Sequence, residues 1–167
     1  INGSPNKEGN TAALAKALLS GREHETLNLT DYRIGSYGQN FPDDQLEAVV
    51  EKMKQSDLIV IGSPLYWHNI CGSVRNMLDR FYGLVEEGFL SGRTLYFIYQ
   101  GASPEKWMME AGEYTMKRFA ALYGMEYGGM ATNKGEADKL GKESENSRVK
   151  TRGSREAKGK GDNRNEK

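Results

Sequence analysis

The sequence predicts an open α/β sandwich, a parallel sheet with helices on both faces. Three observations predict it. Residues 58–61 (Leu-Ile-Val-Ile) form an unbroken apolar run between Asp57 and Gly62, which suits a strand covered on both faces rather than one with a wet side. Strand-like runs alternate along the chain with helical stripes, each short enough to be one crossover. The 167 residues, 37% apolar and 28% charged, fit one domain with a real core and leave no room for two large ones.

The elements follow in order. Ile1 and Asn2 run at once into a glycine-bearing loop, residues 3–11. Such a loop normally needs a buried strand ahead of it to hold its backbone still, so the first strand is expected to be truncated and the natural chain to carry a few more residues before Ile1. Asn10 is expected to cap a helix over 11–20, where Leu14 and Leu18, with Ala12, Ala15 and Leu19, recur at helical spacing before Gly21. Residues 26–29 read as a short strand, and 31–41, rich in Gly and Asn, as turns. Asp43 and Asp44 stand where helix-start acids belong, ahead of the stripe Leu46, Val49, Val50, Met53.

After the strand at 58–61, residues 63–72 read as a loop. Val74, Met77, Leu78 and Phe81 then mark a third helix, residues 95–99 a strand, and Met108, Ala111, Thr115, Phe119 and Leu122 a longer helix. Residues 125–131 are a weaker last strand, and a final helix over 134–143 has only Ala137 and Leu140 to bury. The domain is expected to span 1–143. From 144 to 167 the only aliphatic residues are Val149 and Ala157, while eight basic residues face four acidic ones. That basic, low-complexity tail buries too little to offset its ordering entropy, so it is expected to be disordered.

Charge and composition exclude several classes of function. The zero net charge divides into a tail at +4 and a mildly acidic globule at −4. Neither the balance nor the tail, which lacks aromatics for base stacking, favours a nucleic-acid partner. No run approaches the roughly 20 apolar residues of a spanning helix, and the start lacks a basic-then-apolar signal, so the expectation is a soluble, cytoplasmic protein without a membrane partner. One cysteine, Cys71, excludes an internal disulfide framework and a Cys-built zinc or iron–sulfur site, and no metal is expected.

In an open parallel sheet, ligands bind beyond the carboxyl ends of the strands, which selects loops 3–11, 63–72 and 100–105. The first offers Gly3 and Gly9 for close backbone approach, the Ser4 and Thr11 hydroxyls, the Asn10 amide and a helix N-terminus, together a cradle for phosphate. It is neither a Walker loop nor G-x-G-x-x-G, and a plain capped turn is the competing reading. In the second, Tyr66 and Trp67 can flank a flat ring while His68, Asn69 and backbone amides bond its polar edge, although such aromatics also serve as core or interface. The third is small and polar, suited to backbone contact with the edge of a planar ligand.

Gly3-Ser4-Pro5 with Gly9-Asn10-Thr11, then Gly62-Ser63-Pro64-Leu65-Tyr66-Trp67, then Gly72 and Leu78-Asp79-Arg80-Phe81, resemble the flavodoxin-like NAD(P)H-dependent oxidoreductases, the FMN reductase and quinone reductase group, over residues 1 to about 140. The resemblance implies a flavodoxin-like, five-stranded open parallel sheet. It implies FMN held without a covalent bond, its phosphate on Ser4, Asn10 and Thr11 and its isoalloxazine against Pro64, Leu65, Tyr66, Trp67 and Asn69, with Gly101 and Ala102 closing the far side. The implied activity passes hydride from NAD(P)H through the flavin to a small acceptor such as a quinone, in a homodimer. Because flavin N5 carries the hydride, no catalytic side chain is demanded. His68 either tunes the flavin or caps the next helix.

Some relatives carry a Cys cluster for an iron–sulfur centre. Residues 34–40, the corresponding stretch, contain none. Two rival readings stand beside the enzyme: a flavodoxin-type electron carrier that binds FMN without efficient NAD(P)H oxidation, and a family member that binds no flavin. Cys71 reads as a buried filler, Arg75 and Arg80 as a solvated or salt-bridged face, Asp79 with Arg80 as a structural tie, and Trp107, Met108 and Met109 as core or a dimer contact.

Overall fold

The computed structural model describes residues 1–159. In chain order its elements are α1 (Asn10–Leu18), a 3₁₀ turn (Leu29–Asp31), α2 (Leu46–Lys54), β1 (Leu58–Tyr66), β2 (Asn69–Ile70), α3 (Gly72–Phe81), β3 (Thr94–Gln100), α4 (Lys106–Leu122), β4 (Glu126–Ala131) and α5 (Lys134–Gly159). The sheet order is β2-β1-β3-β4. β1, β3 and β4 are parallel, and the short β2 runs antiparallel to β1.

The sheet has four strands where five were expected. Asn2 forms single parallel bridges to Asn28 and Gly62, so the first and second expected strands are reduced to one rung. A ladder needs successive pairs, and Asn2 is the one residue seated between those two backbones. Residues 29–31 turn into a 3₁₀ helix instead of extending.

Alternation along β1 and β3 builds two cores. Ile59, Ile61, Leu95, Phe97 and Tyr99 point to the side covered by α2, α3 and α4. Val60, Tyr96 and Ile98 point to the other, where Leu18 of α1 and Ala137 of α5 meet them. The stripes of α2 and α3 are buried as their spacing predicts. On α4 the buried face is Met108, Gly112, Met116, Phe119 and Ala120, while Ala111 and Leu122 are exposed and Thr115 half-buried. Gly112 turns that face inward because Tyr99 needs the room: a Cβ there would lie 2.3 Å from the tyrosine ring.

At the ends of helices, two expectations change. Gly9, not Asn10, holds the cap position of α1, and Asn10 is its first residue. α5 begins in a capping box, with Asn133 Oδ1 accepting from the Glu136 amide and Glu136 Oε2 accepting from the Thr132 amide. It does not stop at residue 143 but continues to Gly159. Arg22 holds it at that boundary by donating to the Ser144 hydroxyl and the Gly141 carbonyl. The last part of the expected tail, 160–167, lies outside the described residues. Among the described residues no helix is long and apolar enough to cross a membrane.

One half-buried ion pair fixes the irregular segment before α2. Arg80 of α3 donates to Asp44 Oδ2 at 2.6 Å and to the Gly35 carbonyl at 2.9 Å, while Asp44 also accepts from the Gly35 and Leu46 amides. Arg80 thus ties its helix to Asp44, whereas Asp79 pairs on the surface with Arg75. Burial pushes the Asp44 carboxyl up, but the Arg80 guanidinium and the two amides outweigh it and hold it below its ordinary value of 3.8. A depressed carboxylate contributes stability that is complete above the ordinary value and disappears as pH falls through its own lower one. Asp44→Asn is therefore expected to cost about 2 kcal/mol at pH 7 and to flatten the acid limb of the stability curve, as read by urea unfolding at pH 7 and pH 3.

Candidate functional site

The loop from Gly3 to α1 is held from below. The Gly3 amide donates to the Gly62 carbonyl at 2.8 Å, and the Gly3 carbonyl accepts from the Ser73 hydroxyl, also at 2.8 Å. A side chain at Gly3 is impossible without rearrangement, since its Cβ would stand 2.3 Å from Val74 Cγ2. Ser4 is buried, and its Oγ accepts from the Asn6 amide, leaving its hydroxyl hydrogen free to turn toward a ligand. Asn10 is exposed at the start of α1, whose amino end has no side-chain cap. Thr11 is buried one residue on, and its Oγ1 accepts from Gln100 Nε2 at 3.3 Å. Helix amides without a side-chain cap thus lie beside two hydroxyls, the donor types that anions accept from.

The second expected loop is mostly strand. β1 runs on to Tyr66, and a two-residue turn returns the chain through β2, with Leu65 opposite Ile70 and Tyr66 opposite Asn69. The turn residues, Trp67 (φ 47°) and His68 (φ 65°), both lie in the left-handed region, as a type I′ hairpin requires. Bulky side chains avoid that region, so the turn stores strain at the rim of the site. Trp67 is 94% exposed, and the His68 ring meets Trp107 edge-on at 5.7 Å. Asn69 uses its Oδ1 on the Ile70 amide. Pro64 is buried, Leu65 half-buried and Tyr66 48% exposed.

β3 delivers the third loop to the same edge. Pro64 is in register with Gln100, and Gly101 passes so close to Leu65 that a Cβ would approach Leu65 Cβ to 3.0 Å. Ala102 is exposed just beyond. The three loops thus meet: Ser4, Thr11, Pro64, Leu65 and Gly101 share one edge, with Tyr66, Asn10 and Ala102 around it. Trp67, 94% exposed, is not packed among them. Below the hairpin, Cys71 is buried, its amide donating to the Ser63 hydroxyl and its thiol toward the Gly3 carbonyl, a structural post. The neighbouring Tyr99 hydroxyl is buried without a hydrogen-bond partner among the described residues, and burial pushes it up to about 12, so it stays neutral.

Gln100 and Ser73 escape prediction as site residues. Gln100 was legible only as the first residue of a ligand-facing loop, and nothing in the sequence pairs it with Thr11, 89 positions away. Ser73 carried no signal at all.

The parallel sheet brings helix amides and hydroxyls of the first loop and apolar residues of the second to one edge, where ligands bind in open α/β sheets. The chain belongs to the NADPH-dependent FMN reductase family, whose sequence profile matches residues 1–135. It is 39% identical over 93 residues to an iron–sulfur flavoprotein of Archaeoglobus fulgidus, a match covering 48% of this chain and 46% of the relative. The chain spans about half the length of the curated relatives it matches. Among solved structures it superimposes on the Trp repressor binding protein of Bacillus subtilis (TM-score 0.67, 19% identity, 84% of this chain and 96% of the other). It also superimposes on an FMN-dependent NADH-azoreductase of Bacillus anthracis in complex with FMN (TM-score 0.60, 17% identity, 90% and 97%). At those identities the likeness is one of fold.

The strained hairpin makes a prediction. Replacing Trp67→Asn together with His68→Gly puts the preferred pair of a type I′ turn in place and should raise stability by about 1–2 kcal/mol in urea unfolding. An unchanged or lower midpoint would mean that contacts such as His68 with Trp107 already offset the strain.

Proposed function

We propose that the protein is an FMN-dependent oxidoreductase that takes hydride from NAD(P)H and passes it to a small acceptor such as a quinone. One observation carries the reading: the uncapped amino end of α1 and the hydroxyls of Ser4 and Thr11 open on the same sheet edge as the shelf of Pro64, Leu65, Tyr66 and Gly101. The donor set fits FMN. Amides and hydroxyls without a competing carboxylate suit a phosphate dianion, and a proline, a leucine and a tyrosine suit an apolar tricyclic ring.

Ser4, Asn10 and Thr11 would hold the phosphate, with Gln100 fixing the Thr11 hydroxyl so that its hydrogen points outward. Pro64, Leu65 and Tyr66 would support one side of the ring, and the Gly101 and Ala102 backbone its edge, with Trp67 and Asn69 at the rim. Bound FMN supplies hydride acceptance from a nicotinamide and hydride delivery to an acceptor. The chain's own work is then orientation and exclusion of water, for which no acid or base side chain is required.

Three finer readings go with this one. The flavin-binding unit spans residues 1–143. A homodimer would cover the exposed aromatic patch of Trp67 and Trp107 beside the shelf. A cytoplasmic location suits a protein that draws on NAD(P)H and carries its one cysteine as a free thiol.

The deciding experiment mixes FMN-loaded protein with NADPH or NADH without air. Rapid loss of the yellow colour supports the enzyme; colour that persists assigns an electron carrier, and protein that never takes up FMN overturns both. Ser4→Ala and Thr11→Val should each raise the FMN dissociation constant about tenfold, measured by flavin fluorescence quenching, with unfolding midpoints held as the control.

A further inference from the structure

At the ends of α3 and α4 away from the loop edge, a shallow groove of about 380 Å³ opens on the surface. Its floor is the buried set Leu78, Phe119 and Tyr123, its walls are the exposed rings of Tyr37 and Tyr82, and the Asp79 carboxylate lies beside them. The 10-residue α3 runs from the loop edge to Tyr82, about 15 Å, so the groove is separate from the site.

Both walls are held in place by the fold. Asn76 Nδ2 donates to the Ile34 and Gly35 carbonyls and Arg80 to the Gly35 carbonyl, which lays the chain on α3 just ahead of Tyr37. The turn that follows is closed twice, by the Gln39 amide on the Ser36 carbonyl at 2.9 Å and by the Ser36 amide on Gln39 Oε1 at 2.7 Å, with Gly38 in the left-handed region (φ 84°). Tyr37 therefore stands at a fixed tip. Tyr82 directly follows α3, its amide donating to the Asp79 carbonyl, and Gly83 (φ 76°) takes the turn beyond it. The two rings meet at 5.9 Å between centroids and at 63°, a corner open to solvent, since Tyr37 is 60% and Tyr82 70% exposed.

Angled rings with a carboxylate beside them suit one class of ligand. The face of an aromatic ring is negative, and it favours a cation whose charge is spread over apolar methyl groups that part easily from water. Two carboxylates supply the matching charge. Asp79 pairs with Arg75 at 3.0 Å, but both side chains are exposed, where such a pair is weak and leaves the carboxylate's field open to a second cation. Glu87 lies close enough to the floor that its charge, after burial, raises the Tyr123 hydroxyl above its ordinary 10. We propose that the groove is an aromatic cage for a quaternary ammonium group carried by a small molecule. Its volume falls at the lower end of the range of ligand pockets, about 300–1,000 Å³. Its lining comes from α3, α4 and the turns beside them, so no strand edge borders it to pair with an extended peptide. The carboxylates also repel phosphate, which sets a free ammonium ligand apart from a phosphocholine headgroup.

The test titrates the full chain with choline and with dimethylbutanol, the neutral isostere in which carbon replaces the ammonium nitrogen, and follows the ring proton signals of Tyr37 and Tyr82. Choline should bind with a dissociation constant on the order of 1 mM, and the alcohol at least about tenfold more weakly. Tyr82→Leu and Asp79→Asn should each weaken choline at least about fivefold with unfolding midpoints unchanged, while Tyr82→Phe, which keeps the ring face, should stay within about twofold. Equal affinity for the two probes would reduce the groove to plain apolar surface and overturn the cage. So would normal choline binding by Tyr82→Leu, or choline shifts confined to Trp67 and Trp107. Tighter binding to phosphatidylcholine vesicles or to a trimethyllysine peptide than to choline would overturn the small-molecule ligand. A shift of the Tyr82 signals with protein concentration alone would give the groove to a second copy and overturn it as well. Choline binding should be the same with and without FMN, so the outcome stands apart from the test of the proposed activity.

Discussion

The rest of the site depends on one rung of backbone pairing, that of Asn2 between Asn28 and Gly62. Everything that makes loop 3–11 a binding surface is suspended from it. The Gly3 amide on the Gly62 carbonyl continues the rung, and the Ser73 hydroxyl on the Gly3 carbonyl fastens it to the start of α3. Asn2 adds a side-chain link, its Oδ1 accepting from the Ser4 amide and its Nδ2 donating to Asn28 Oδ1. A buried asparagine in a sheet is costly unless its amide is satisfied at both ends, and here it is. It turns the chain from strand to loop at a fixed point, which determines where the Ser4 hydroxyl and the amino end of α1 lie.

The opposite wall of the hollow is fixed by different physics. Proline at 64 cannot donate to a ladder, yet it sits in β1 next to β3 because Ser63 takes over the local bonding: its hydroxyl donates to the Pro64 carbonyl and accepts from the Cys71 amide. Gly101 lets β3 end against Leu65 without a side chain between them. The shelf is therefore made by backbone approach and apolar contact, and only the hairpin tip, with Trp67 and His68 in left-handed conformations, is held against its preference. The strain is thus confined to the rim, at Trp67 and His68.

Much of this was legible in the sequence, and the failures have particular causes. Residues 58–61 and 95–99 were readable because a strand covered on both faces needs apolar residues at every position. The α2 and α3 stripes were readable because their partners are large. Of the α4 stripe, Met108 and Phe119 are buried as expected, but the middle of the face is Gly112 and Met116 rather than Ala111 and Thr115, since Gly112 contributes by having no side chain and cannot be counted as apolar. The β1–β2 hairpin was invisible: Trp-His is the reverse of the Asn-Gly that announces a type I′ turn. The fifth strand failed because one residue cannot make a ladder, and the extent of α5 because its anchor, Arg22, lies more than a hundred positions upstream. The loops themselves were placed correctly on one edge, since that follows from parallel topology alone.

The distribution of charge separates structure from chemistry. The carboxylates held below their ordinary values, Asp44 and Glu136, tie a loop and cap a helix, and of the tyrosines raised by burial, Tyr99 and Tyr123 are core residues and Tyr127 is half-buried on β4 beside Glu113. Acid–base catalysis concentrates such perturbed groups at its site, in hydrogen-bonding reach of the atom to be protonated. Here they lie where the fold needs holding, while the three loops present hydroxyls, amides and rings. A surface of that composition suits the binding and orientation proposed for it. Redox chemistry carried by a bound group asks for no more than this, and that is why loop geometry, set by the rung at Asn2, matters more to this protein than the titration of any one side chain.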